Sequence, residues 1–123
     1  MQIDDLYRLV SVSDPQLHPA GVRIAFVVGR MDRDEDRSEA QIWLWDGERA
    51  RPFTSGPADR RPRWSPDGAR LAFLRKDPGE STVPQVAVMP ADGGEATAVT
   101  DFELGASEAE WAPDGGSLAV VGT

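Results

Sequence analysis

Pro19, Pro66 and Pro113 stand 47 residues apart, each inside a related stretch of sequence. The central copy runs from Arg63 through Trp-Ser-Pro-Asp-Gly to the apolar segment ending at Leu74. A second copy runs from Glu110 through Trp-Ala-Pro-Asp-Gly to Val121, and a degenerate one from Gln16 through Leu-His-Pro-Ala-Gly to Val27. Two equal gaps of this length constrain the fold more tightly than any bulk property. The chain must consist of repeated supersecondary units that bury their apolar faces by stacking.

The turn chemistry explains why these residue types recur. Ser65 opens a type I turn, Pro66 pre-sets the backbone at its second position, Asp67 suits the third, and Gly68 takes the positive φ that closes it. Pro113, Asp114 and Gly115 repeat this arrangement, and Pro19 with Gly21 keeps its proline and glycine. Between these anchors a second pair of segments recurs. Gln41-Ile-Trp-Leu-Trp-Asp-Gly47 matches Gln85-Val-Ala-Val-Met-Pro-Ala-Asp-Gly93, and each is followed by a short piece ending in threonine, at Thr54 and at Thr100. One unit therefore reads as four antiparallel strands joined by turns. Helical periodicity is confined to a short candidate helix over Asp4–Val10, where acids suit a helix N-terminus.

Side-chain pattern then says how the sheets are covered. Ile42–Trp45, Leu71–Leu74 and Leu118–Val121 are apolar on both alternating faces, so these strands need cover on both sides. Arg61–Trp64 alternates instead, and Pro62 marks it as an edge strand, because proline cannot donate to a ladder. An edge strand, two doubly covered central strands and an outer strand, repeated with a period in the forties, describe the blades of an all-β propeller. The expected organisation is an N-terminal segment over 1–13, a first blade over 14–59, a second over 60–106 and half of a third over 107–123. Closed propellers have roughly four to eight blades, so about two and a half blades make a truncated, partial propeller.

Trp64-Ser-Pro-Asp-Gly68 with its following strand resembles the repeat of TolB-type propellers and of the propeller in the prolyl oligopeptidase family of serine peptidases. The opening is the more specific part: Asp5-Leu-Tyr-Arg-Leu9, then Ser13-Asp-Pro15, then the charged run Arg30–Arg37 before the strand at Ile42. That order resembles the N-terminus of the acylaminoacyl-peptidase and dipeptidyl-peptidase-like branch. The resemblance implies a longer protein, with further blades and an α/β-hydrolase domain carrying the catalytic serine, aspartate and histidine. In that setting the propeller restricts entry to short peptides, and no metal or cofactor takes part.

Composition fits this and excludes several other classes. The net charge of −8 argues against binding a nucleic-acid phosphate backbone. Cysteine is absent, so there is neither a disulfide framework nor a thiolate metal site. Neither a secretory leader nor an apolar run long enough to span a bilayer is present, which makes a cytoplasmic location the expectation, without a membrane partner.

The candidate chemical groups each have a structural explanation. Gly-x-Ser-x-Gly, the nucleophile elbow of hydrolases, does not occur; the stretches around Ser107 and Ser117 lack its final glycine. His18, the only histidine, occupies the turn position held by Ser65 and Ala112 in the other copies. The acidic run Asp32–Asp36 has the start of a calcium loop, but Arg37 replaces its glycine and Trp43 its last glutamate. Trp64 and Trp111 are repeat equivalents, and Trp43 and Trp45 are taken to lie on opposite faces of one strand, so all four are assigned to packing between blades. No residue is expected to be catalytic, to bind a cofactor or to bind a metal. Two alternatives stand beside the peptidase reading: a TolB-like protein-interaction module, and a partial propeller that assembles with copies of itself. Open sheet faces and strand edges lead to the expectation that the isolated chain self-associates, by stacking blades or by pairing the half-blade after Gly115 with a neighbour's strand.

Overall fold

The computed structural model describes residues 8–32, 37–77 and 82–122. Among them the chain forms only strands and turns. β1 (Arg8–Leu17), β2 (Ile24–Asp32), β3 (Arg37–Trp45) and β4 (Ala50–Pro52) make the first sheet in that order. β5 (Asp59–Trp64), β6 (Arg70–Arg75), β7 (Gln85–Pro90) and β8 (Thr97–Ala98) make the second, and β9 (Ala106–Trp111) with β10 (Leu118–Gly122) begins a third. Every neighbouring pair is antiparallel. The first strands of the three sheets, β1, β5 and β9, lie next to one another, so the sheets share one common edge.

Of the short helix expected over Asp4–Val10, residues 8–10 instead begin β1 and pair with Arg30–Asp32, while residues 4–7 lie outside the described residues. A ladder gives these residues hydrogen bonds along their length, whereas a helix of two turns is marginal by itself. In the acidic hairpin Asp32 closes β2 and pairs with Arg37 at the start of β3; residues 33–36 lie outside the described residues.

The edge strands are bent where proline interrupts them. β1 shifts register between Ser13 and Gln16, around Pro15, and β5 does so between Arg60 and Arg63, around Pro62. Both bulges fall at the same repeat position, because a residue without an N–H breaks the ladder there. The third sheet has Ala109 in that place. It pairs regularly with Val120, and the irregularity moves to the end of the strand, between Val121 and Gly122.

Two apolar layers hold the sheets together. Ala25, Val27, Ile42 and Leu44 of the first sheet meet Trp64, Leu71, Phe73 and Met89 of the second. On its other face the second sheet presents Ala72, Leu74 and Val86 to Ala106, Ala109, Leu118 and Val120 of the third. Leu71–Leu74 is therefore buried on both faces, as its unbroken apolar run requires. The outer sheets are covered on one side only. Trp43 and Trp45 share a face, contrary to the opposite faces expected, since side chains two residues apart on a strand point the same way. Ile42 and Leu44 take the buried side, and Trp45 is left 37% exposed.

Strand-end threonines fasten the shorter outer strands. Thr54 Oγ1 accepts the Ile42 N–H at 3.1 Å and Thr100 Oγ1 accepts the Val86 N–H at 2.9 Å. The connection between the first two sheets is tied by Asp59. Its fully buried carboxylate takes Arg75 Nε at 2.7 Å, Arg75 Nη2 at 3.0 Å and the Gly56 N–H at 2.8 Å. The pair raises the proton affinity of Arg75 above its ordinary level, chiefly through the hydrogen bond to Asp59.

The difference between double and single cover is measurable. Phe73→Ala, at a fully buried site in the doubly covered sheet, is expected to cost about 4 kcal/mol in urea unfolding. Val121→Ala, at a side chain 56% exposed on the third sheet, is expected to cost less than about 0.5 kcal/mol. Equal losses would mean that the sheets are not covered in this way.

Candidate functional site: the turns and junctions between sheets

The three Pro-containing turns have one backbone geometry. The N–H groups of Gly21, Gly68 and Gly115 donate to the carbonyls of His18, Ser65 and Ala112 at 2.8, 2.8 and 2.9 Å. These glycines have φ of 84°, 74° and 72°, in the left-handed region that side-chain-bearing residues rarely occupy. In the middle turn Ser65 is fully buried; its Oγ donates to Asp67 Oδ1 at 2.6 Å and accepts the Arg70 N–H at 3.0 Å. Asp67 Oδ1 also accepts the Ala69 N–H at 3.0 Å. The Ser65 hydroxyl first, and then the Ala69 amide, hold the Asp67 carboxyl below the usual aspartate range. Both hydrogen-bonding roles of the Ser65 hydroxyl are thus used within the turn.

The sheets are joined by bonds that repeat with the sequence. Trp64 Nε1 donates to the Gln16 carbonyl at 3.0 Å, and Trp111 Nε1 donates to the Arg63 carbonyl at 2.9 Å. A donor also runs forward from each sheet to the turn glycine of the next. His18 Nδ1 accepts the Ala20 N–H at 3.0 Å, which leaves Nε2 as the protonated nitrogen, and Nε2 donates to the Gly68 carbonyl at 2.8 Å. At the second junction the same bond comes from Arg70, whose Nη2 donates to the Gly115 carbonyl at 2.9 Å. The Arg70 guanidinium lies 4.7 Å from the Trp111 ring centre, and the His18 ring meets Trp64 edge to face at 4.7 Å.

Along the shared edge ion pairs cross the same junctions. Arg63 contacts Asp14 at 3.0 Å, and Arg61 approaches Glu108 at 3.7 Å. Asp14 and Arg61, repeat equivalents at the two bulges, have φ of 51° and 55°, which is unusual for residues with side chains. An open groove crosses the turn ends above these pairs, lined by Leu17, Pro19, Trp64, Pro66, Trp111 and Glu110.

The structure places the four tryptophans in two settings. Trp64 and Trp111 lie between sheets, whereas Trp43 and Trp45 lie on the uncovered face of the first sheet, Trp43 with its Nε1 on Gln41 Oε1 at 3.1 Å. Ser107 donates to the Val121 carbonyl at 3.3 Å, and the Ser117 carbonyl accepts the Ala112 N–H. Among the described residues no set of three acids or histidines is grouped to hold a metal ion. No helix among them is long and apolar enough to cross a membrane. His18, Arg63 and Arg70 were missed as junction residues. Carrying the 47-residue spacing from the turn prolines to the residues around them pairs Gln16 with Arg63 and Gly68 with Gly115, and so would have located the junction acceptors.

A Cβ on Gly68 would lie 2.6 Å from His18 Cε1, whereas one on Gly21 would meet nothing within 4 Å. Gly21→Ala is therefore expected to cost about 1 kcal/mol from backbone strain alone. Gly68→Ala should cost at least about 1 kcal/mol more, because it also displaces the His18 ring; equal urea midpoints would contradict the contact. The pH dependence has a defined sign. Folding lowers the proton affinity of Asp67, so its contribution is complete above the ordinary value of 3.8 and fades as pH falls through the lower folded-state value. The stability difference between wild type and Asp67→Asn should stay constant between about pH 5 and about pH 8 and shrink below about pH 4.

No family model matches the chain. Over 121 residues, 96% of the chain, it is 38% identical to a Bacillus subtilis protein named "Uncharacterized peptidase YuxL", and it spans 18% of that protein's length. It superimposes on Pyrococcus horikoshii acylaminoacyl peptidase with a TM-score of 0.75 at 24% identity, covering 93% of this chain and 18% of that one. The β-propeller domain of the Trilobed protease from Pyrococcus furiosus gives a TM-score of 0.68 at 22% identity, with 90% and 33% covered. These likenesses show the fold, a partial β-propeller, and the chain spans less than a fifth of the length of the Bacillus subtilis relative.

Proposed function

We propose that this chain is the non-catalytic propeller part of a serine peptidase, covering an α/β-hydrolase domain and limiting access to it by short peptides. The observation that carries the reading is the 38% identity, over almost the whole chain, to a protein named as a peptidase. The site geometry agrees. The turn serine and the histidine are each engaged in bonds that build the propeller, which supports a structural part for them. Rigid junctions and a polar common edge suit a cover that excludes folded substrates. The reaction would be acyl transfer to a serine followed by hydrolysis, with the nucleophile, base and orienting acid all on the hydrolase domain.

The test compares this 123-residue chain with the full product of its gene on chromogenic acyl-amino-acid and dipeptide substrates. The full product should cleave them and lose activity to a serine-directed phosphonate, and the chain alone should show no turnover. A full product that is inactive on every short peptide and indifferent to the phosphonate would overturn the reading.

A further inference from the structure

Of the arginines on β5, Arg63 is paired with Asp14 and Arg61 with Glu108, but Arg60 is not paired. Asp59, its neighbour in the chain, is buried and committed to Arg75. Lys76, the only lysine of the chain, lies at the same end of the second sheet. Both Arg60 and Lys76 are exposed, and among the described residues neither has an ion pair or a side-chain hydrogen bond. Strand geometry brings the two cations together. Arg60 pairs with Leu74 across the ladder, and the Lys76 N–H, which donates to the Ala58 carbonyl at 3.0 Å, carries that pairing past the end of β6. Leu74 and Lys76 are two residues apart and share a face with Arg60, the face on which Leu74 meets the third sheet. Arg60 and Lys76 are therefore diagonal neighbours, within reach of one small anion. Asp77 follows Lys76 but falls on the opposite face, where its charge acts on Arg75.

The repeat shows that the fold does not require these charges. The 47-residue spacing puts Ser13 and Ser107 at the place of Arg60, and Gly29 at the place of Lys76. The first sheet forms the same ladder with an uncharged pair, Ser13 opposite Val27, where the second has Arg60 opposite Leu74. Two neighbouring cations repel, so their presence costs the folded sheet something that no contact within it returns. Their setting is also built on both sides, because β5 lies between β1 and β9 along the shared edge. We propose that Arg60 and Lys76 form a carboxylate-binding site, and that it receives the free C-terminal carboxylate of a short peptide. Paired guanidinium and ammonium donors suit that group, since charge-assisted hydrogen bonds to a carboxylate are stronger than neutral ones. The choice of a peptide as the source of the carboxylate rests on the peptidase reading above.

The test measures binding and needs no turnover. The isotope-labelled 123-residue chain is titrated with N-acetyl-dialanine, with its C-terminal amide and with acetate, and backbone amide shifts are followed by NMR. The peptide acid should shift the amides of Arg60 and Lys76. It should bind about fivefold more tightly than the peptide amide, and more tightly than acetate, which has the charge without the backbone. In the double variant Arg60→Gln with Lys76→Gln, at two exposed positions, the advantage of acid over amide should vanish while the rest of the spectrum keeps its folded dispersion. Equal affinities for acid and amide in the wild type, or an advantage that survives in the double variant, would overturn the site. Acetate binding as tightly as the peptide acid would overturn its assignment to peptides. The peptidase reading fails separately, on absence of turnover by the full gene product.

Discussion

An indole N–H reaching back to a strand carbonyl fastens each sheet of this chain to the one before it. The bond matters because of where it lies. Sheets stacked through apolar layers alone can slide, since hydrophobic contact is not directional. A hydrogen bond from a large, nearly immobile ring to a backbone atom fixes both the separation and the register of the two sheets. Trp64 does this while filling the first apolar layer, so one side chain supplies contact area and alignment together. The turn that follows each tryptophan is the second half of the device, because its glycine carbonyl receives a donor from the preceding sheet.

From this geometry follows a division of the chain into one well-covered sheet and two that lean on it. The second sheet has an apolar layer on each face and receives or sends every junction bond. The first is held through one face, with Trp43 and Trp45 on the other, and the third is a two-stranded beginning. Ser65, His18 and Arg70 are each engaged in the bonds that build the turns and junctions.

Much of the architecture was legible in the sequence because turn chemistry is local. A serine or its substitute, then proline, then a small or acidic residue, then glycine can be recognised from four positions, and the spacing of three such turns gives the repeat. Double cover was read correctly at Leu71–Leu74, whereas Ile42–Trp45 and Leu118–Val121, expected to be covered on both faces, are covered on one. The faces of Trp43 and Trp45 were misread although the period of two settles them. The start of β1 was hidden because Arg8–Val10 carries no strand alternation that a short helix would not also show, and its pairing partner lies some twenty residues away. The junction bonds were the least visible part. They end on backbone carbonyls, which carry no sequence signature, and the forward donor changes identity from His18 to Arg70, a substitution that only geometry reveals as equivalent.

Native-state hydrogen exchange followed residue by residue tests most directly whether the junctions and double cover organise stability. Amides in β6 and β7 should exchange only through global unfolding, those of β1–β3 somewhat faster, and those of β9 and β10 fastest, by local opening of the third sheet. A uniform exchange rate across all three sheets, or protection in β9 and β10 that matches β6, would contradict the account.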